Sequence, residues 1–70
     1  MSKEKILKTM IKEKKEELQR LSILRGYNKK LAEEGNQKEQ REQIIKKVDQ
    51  NKEEVERVLA YLEDQLNDIK

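Results

Sequence analysis

Apolar residues recur along the chain at alternating three- and four-residue steps, in two separate runs. The run in the second half contains Ile45, Val48, Val55, Leu59, Leu62, Leu66 and Ile69, and Lys52 occupies the one step between Val48 and Val55. A looser run in the first half contains Leu7, Ile11, Leu18, Leu21, Leu24 and Leu31. Such spacing keeps one side of a helix turned toward a partner helix. The pattern predicts two helices that pack against other helices.

The two runs are separated by Gly35 and Asn36, and the chain contains no proline. Gly35 suits the left-handed residue that ends a helix, and Asn36 with Glu39 has the spacing of a capping box for the next helix. We expect a first helix over about residues 3–34, a turn over about 35–37 and a second helix over about 37–69. So short a link makes long helices antiparallel neighbours. The sequence predicts one all-α domain over residues 1–70, an antiparallel, coiled-coil-like helical hairpin.

Charge is divided between the two predicted helices in a way that favours this pairing. Residues 1–31 carry ten basic and four acidic side chains, net +6, and residues 32–70 carry seven and eleven, net −4. In the hairpin, positions whose numbers sum to about 70 face each other, so Leu7 meets Leu62 to Leu66. Because exposed ion pairs each contribute only about 0 to 1 kcal/mol, we expect charge to select orientation more than to stabilise the fold.

Lys14 and Lys52 stand at steps where the apolar pattern expects a hydrophobic residue. Their aliphatic stems can cover apolar surface while the ammonium groups reach water. Alternatively, a polar residue in a helix contact penalises wrong registers and wrong oligomeric states. The second interpretation makes the two lysines determinants of how chains associate.

Further apolar residues lie outside the two runs, and one hairpin leaves many of them in water. They are Met10, Ile23, Tyr27, Ile44, Val58 and Tyr61. Packing against a second hairpin would cover a wider apolar stripe on each helix. The sequence therefore predicts a four-helix or larger bundle, with a homodimer as the first expectation. The residues expected to mediate self-association are Leu18, Leu21, Leu24, Leu31, Ile44, Val48, Val55, Val58, Leu59, Leu62, Leu66 and Ile69.

The composition argues against catalysis and against a cofactor. The chain has no cysteine and no histidine, which excludes thiolate chemistry and the usual zinc sites. Its few hydroxyl groups have no evident neighbouring base, so we expect no enzyme activity, no metal and no cofactor. No stretch reaches the roughly 18 apolar residues of a spanning helix, and the first residues lack the apolar core of a signal peptide. We expect a cytoplasmic protein that does not bind membranes.

The function favoured by these features is a small accessory or regulatory module that binds, inhibits or scaffolds another protein. Its helix faces would dock on helices of the partner, with aromatic and large aliphatic anchors and a charged rim. The residues expected to contact a partner or ligand are Ile23, Arg25, Gly26, Tyr27, Lys29, Lys30, Arg57 and Tyr61. Gly26 within a helix predicts a kink, a close helix contact or access for a ligand.

Two alternatives remain open. Lys5, Lys8, Lys12 and Lys15 recur at three- and four-residue steps and form a basic ridge that could contact the phosphates of a nucleic acid. A net charge of only +2 and the lack of aromatic residues among these lysines argue against it. The second alternative is an oligomer that sequesters a phosphate-containing ligand such as a nucleotide. Tyr27 or Tyr61 would stack on the base, and the phosphate would be bound by Arg25, Lys29, Lys30 or Arg57.

Overall fold

A computed structural model describes residues 2–69, which form two helices, α1 (Lys3–Glu33) and α2 (Lys38–Ile69), and no strand. The helices pack side by side along their length in a rod of 50 × 15 × 14 Å. The predicted all-α helical hairpin is confirmed. α1 ends at Glu33 and α2 begins at Lys38, each one residue from the predicted boundary.

α1 begins with a side-chain cap. Ser2 lies in an extended conformation just before the first helical residue, and its hydroxyl oxygen accepts a hydrogen bond from the backbone N–H of Lys5 at 3.2 Å. This bond satisfies one of the N–H groups that a helix start leaves unpaired. Glu4 adds negative charge in the first turn, where the helix dipole favours it.

The turn is built on Gly35. Its φ of +78° is the left-handed conformation, its N–H donates to the carbonyl of Ala32 at 3.0 Å, and the N–H of Asn36 donates to the carbonyl of Leu31 at 2.9 Å. These two bonds form a Schellman motif, which a glycine completes without steric cost. Gln37 then precedes α2 with a φ of +53°. The residue directly before α2 is therefore Gln37, and the capping box expected from Asn36 lies one residue too early in the chain.

Buried and half-buried residues follow alternating three- and four-residue steps along both helices, and we call this contact the seam. In α1 the seam contains Glu4, Leu7, Ile11, Lys14, Leu18, Leu21, Arg25, Asn28 and Ala32, and in α2 it contains Arg41, Ile45, Val48, Lys52, Val55, Leu59, Leu62 and Leu66. A strict heptad of this kind is the pattern of a coiled coil. The two seam lysines are half-buried, as their stems allow.

The seam changes character along the rod. We call the end of the rod opposite the turn the terminal end. There Leu7, Ile11 and Leu62 form a buried cluster that Val58 and Leu66 help to cover. The expected meeting of Leu7 with Leu62 is found there. Toward the turn end three seam positions are polar, Arg25, Asn28 and Arg41, and they lie among the apolar Ala32 and Ile45. Leu24, expected in the first run, is displaced from the seam and is 45% exposed.

Candidate interaction surface

The hairpin has two chemically different sides. Each helix has a flank on either side of its seam residues, and because the helices are antiparallel, like flanks meet on the same side of the rod. On one of them, the charged side, α1 places basic or neutral residues and α2 places acidic ones. These residues are Lys8, Lys15, Ser22 and Lys29 from α1 and Glu42, Asp49, Glu56 and Glu63 from α2.

An ion pair joins the helices on the charged side. The Nε of Arg25 donates to Oδ1 of Asp49 at 2.8 Å, and both side chains are part-buried. The other close ion pairs among residues 2–69 lie within single helices, for example Lys8 with Glu4 at 3.1 Å. Within this described part of the hairpin, the pair of Arg25 with Asp49 is therefore the one close ion pair between the basic helix α1 and the acidic helix α2.

The opposite side carries most of the exposed large hydrophobic residues, and we call it the apolar side. Its members are Ile6, Met10, Leu24, Tyr27 and Leu31 from α1 and Ile44, Val58 and Tyr61 from α2. Leu31, Ile44 and Val58 are half-buried beside the seam, whereas Tyr27 and Tyr61 are 57% and 63% exposed. An apolar stripe, interrupted by charged residues in the middle of the rod, is therefore left open by the packing of α1 against α2.

The most open part of this stripe lies near the turn. Ile23, Leu24, Tyr27 and the stem of Arg20 line a shallow depression on α1 that is almost entirely apolar, and Ile23 is 74% exposed. These residues share a face because they are three, four and seven positions apart. Two expected anchors, Ile23 and Tyr27, are thus brought together. Tyr61 lies toward the terminal end, about 27 Å from Tyr27 along the rod, as estimated from the helical rise.

Arg41 connects the seam to the apolar side. Its Nη1 donates to Oδ1 of Asn28 at 2.9 Å, its guanidinium lies 5.9 Å from the centre of the Tyr27 ring, and its buried Nε has no partner among the described residues. Asn28 is only 2% exposed and its Nδ2 donates to the carbonyl of Leu24 at 2.9 Å. We call Asn28 and Arg41 the polar layer. The apolar pattern of the sequence does not reveal this layer, although a seven-residue step leads from Leu21 to Asn28 and another leads from Val48 back to Arg41.

The remaining candidates for partner or ligand contact are scattered. Arg25 is occupied by Asp49, and Arg57 lies 3.9 Å from Glu53 on the same helix. α1 continues through Gly26, where an added Cβ would meet no atom within 4 Å, so no other part of the described hairpin approaches it closely. Lys29 and Lys30 are exposed. The cations proposed to bind phosphate beside a tyrosine are therefore not gathered into one pocket.

The basic ridge is exposed on α1, on the charged side. Its members are Lys5, Lys8, Lys12 and Lys15. The acidic stripe of α2 that contains Glu56 and Glu63 follows the adjacent flank of the same side. The negative charge beside the ridge reduces the positive potential that would attract a polyanion.

The residues expected to mediate self-association separate into two groups. Those that already pack within one hairpin, in the seam, are Leu18, Leu21, Val48, Val55, Leu59, Leu62 and Leu66. Leu24, Leu31, Ile44 and Val58 lie on the apolar side, and Ile69 is 40% exposed at the end of α2. Periodicity alone did not distinguish contacts within the chain from surface available to a partner.

Comparison with protein-family models, with curated proteins and with solved structures finds no match to this chain. Neither described helix has a segment apolar and long enough to traverse a lipid bilayer. Across residues 2–69, no three carboxylates come together in an arrangement that could hold a metal ion.

Proposed function

We propose that the protein is a non-enzymatic interaction module that self-assembles through its helix faces and binds, inhibits or scaffolds another protein. The observation that carries this proposal is the apolar side, a stripe of large hydrophobic residues separate from the seam and exposed along the rod. Clusters of exposed large hydrophobic residues, such as those toward each end of this side, mark interaction sites.

Docking would follow the physics of helix-on-helix packing. A helix laid along the apolar side would bury Tyr27 and Tyr61, whose rings offer large apolar area with a hydroxyl able to stay in water. Arg20 beside Tyr27 would form part of the charged rim that sets the orientation of the partner. In this proposal the side chains with the largest exposed apolar area contribute most of the binding energy.

The distribution of charge favours a protein partner over a nucleic acid. The lysines of the basic ridge lie on the charged side, beside the acidic stripe of α2, and the exposed tyrosines lie on the opposite side of the rod. Single-stranded nucleic acids are bound by basic grooves in which aromatic rings stack on the bases. Here the basic ridge lies on the side opposite the exposed rings, and the cations near Tyr27 are Arg20 and Arg41.

A photo-crosslinking experiment tests the proposal. A benzophenone amino acid replaces Tyr27, or Ser22 as a matched control that is exposed on the charged side, in cells that express the protein. We expect strong light-dependent adducts with protein, either a second copy or another chain, at position 27 and few at position 22. Adducts mainly with nucleic acid, or no protein adduct at position 27, would overturn the proposal.

A further inference from the structure

Charged residues on the apolar side are segregated along the rod. Toward the terminal end, its middle section carries the carboxylates of Glu13, Glu17 and Glu54, and toward the turn end it carries the cations of Arg20 and Lys47. Apolar residues lie beyond the charges at both ends. Read from the terminal end to the turn end, the surface is therefore apolar, acidic, basic and apolar.

We propose that a second copy of this chain covers the apolar side, with the turn end of each hairpin over the terminal end of the other. This inference rests on the proposed function and specifies one partner and one orientation for it. A surface with the order apolar, acidic, basic, apolar is complementary to itself when it is turned end for end. Two copies related by a twofold axis through the middle of the rod then form an antiparallel four-helix bundle.

Residue positions support this stacking. Turning one hairpin end for end lays α1 on α1 of the second copy, with positions that sum to about 37 opposite each other. Met10 then meets Tyr27, and Glu17 meets Arg20. On the other pair of helices, positions that sum to about 103 lie opposite each other, so Ile44 of α2 meets Val58 with Tyr61 beside it. Each aromatic ring of the apolar side thus packs on an aliphatic side chain, and opposite charges meet in the middle.

The competing arrangement stacks turn end on turn end and lays α1 on α2 of the second copy. It also matches apolar residues, but it places Glu17 opposite Glu54 and brings Arg20 near Lys47. Like charges that face each other across an interface oppose association, and the two copies would contain the conflict twice. Charge therefore selects the antiparallel stacking. Lys14, 3.2 Å from Glu17, reduces that repulsion without removing it.

The apolar side has about the footprint of a standard dimer interface. A side of the rod 50 Å long and 15 Å wide presents on the order of 750 Å² to a partner, close to the roughly 800 Å² that each partner contributes to a standard interface. A second copy of the same rod covers the full length, which a shorter helix would not do.

Sedimentation equilibrium of the purified chain between about 5 and 200 µM tests the dimer and its orientation. We expect a dimer that Glu17→Lys weakens about tenfold, because both copies gain a repulsion with Arg20. Adding Arg20→Glu should restore the affinity. Asp64→Lys makes the same charge change on the outer surface of α2 and should leave the dimer unchanged. A tighter dimer with Glu17→Lys would overturn the antiparallel stacking.

Cysteine crosslinking gives a second measurement, since the natural chain contains no cysteine. Mixing Met10→Cys chains with Tyr27→Cys chains under mild oxidation should yield disulfide-linked dimers, because the stacking brings these positions within disulfide reach. Mixing Tyr27→Cys with Ile44→Cys should not. Two results would contradict the inference. One is disulfide-linked dimers only in the mixture of Tyr27→Cys with Ile44→Cys chains, and the other is no disulfide link in either mixture when the samples sediment as dimers.

The two proposals fail in different ways. A purified chain that stays monomeric at 200 µM, while position 27 crosslinks to a different protein in cells, overturns the second copy as partner and leaves the interaction module in place. A lack of any protein adduct at position 27 in cells overturns the interaction module itself.

Discussion

The polar layer gives a sharp prediction about stability. Asn28 is fully enclosed in the seam, where it accepts a hydrogen bond from Arg41 and donates one to the carbonyl of Leu24, each at 2.9 Å. Replacing Asn28 with alanine removes both bonds and leaves the guanidinium facing an apolar gap. Because the buried Nε of Arg41 already lacks a partner, the guanidinium would then lose its hydrogen bond to α1 and keep a buried donor without an acceptor.

The magnitude follows from these contacts. A hydrogen bond to a charged group contributes about 1.5 to 3 kcal/mol, and a buried donor left without a partner costs about 1 to 3 kcal/mol. Both figures estimate the cost of losing the one hydrogen bond between Arg41 and Asn28, so they are not added. We therefore expect Asn28→Ala to lower the free energy of unfolding by about 2 to 3 kcal/mol. With a urea m value near 1 kcal/mol/M for so small a protein, the midpoint should fall by roughly 2 to 3 M.

Urea unfolding followed by circular dichroism at 222 nm, at one fixed chain concentration, measures the effect. Gln50→Ala is the control, since it removes an exposed amide from α2 and should change stability by no more than about 0.5 kcal/mol. The double variant Asn28→Leu with Arg41→Leu should be near neutral or more stable, because it replaces both polar partners by apolar groups. An Asn28→Ala variant as stable as the Gln50 control, or a double variant that loses as much as Asn28→Ala, would refute the role assigned to the layer.

Three further substitutions test other parts of the hairpin. Gly26→Ala should raise stability by about 1 kcal/mol, because α1 is helical there and the new methyl group meets nothing; a loss in urea unfolding would show that another molecule packs on Gly26. Gly35→Ala should cost about 1 kcal/mol in the same assay, because φ is +78°; an unchanged midpoint would count against the Schellman turn. Lys52→Leu should raise the melting temperature and produce a mixture of oligomeric states in light scattering. One unchanged species would mean that Lys52 only covers apolar surface.

The parts of the fold that could be predicted depend on local or strictly periodic signals. The two helices follow from the three- and four-residue steps and from the lack of proline. The position of the turn follows from Gly35, because a left-handed residue at a helix end is a local requirement. The contact of Leu7 with Leu62 follows from counting outward from the turn, which works because both helices are uninterrupted.

The turn end of the seam could not be predicted in the same way. Residue type indicated Leu24, but the heptad that contains Leu18 and Leu21 continues to Arg25 and Asn28. Hydrophobicity identifies a seam only while its positions are apolar, and here Arg25 is half-buried against Asp49 and Asn28 is buried against Arg41. A side-chain partner on the other helix, 13 or 24 residues away, is a tertiary property. For the same reason the sequence could not divide the apolar residues between the seam and the apolar side.

The polar layer also bears on the proposed dimer, since Arg41 takes part in both surfaces. The hydrogen bond from Arg41 to Asn28 adds to the short turn in holding α2 in register with α1, and a slip of one heptad would move α2 by about 10 Å. Such a slip would move Lys47 and Glu54 of α2 along the rod by this distance, while Glu17 and Arg20 of α1 would stay where they are. The division of the apolar side into an acidic and a basic section would then be lost. A polar contact inside one chain thus helps to maintain the charge order that the antiparallel stacking requires.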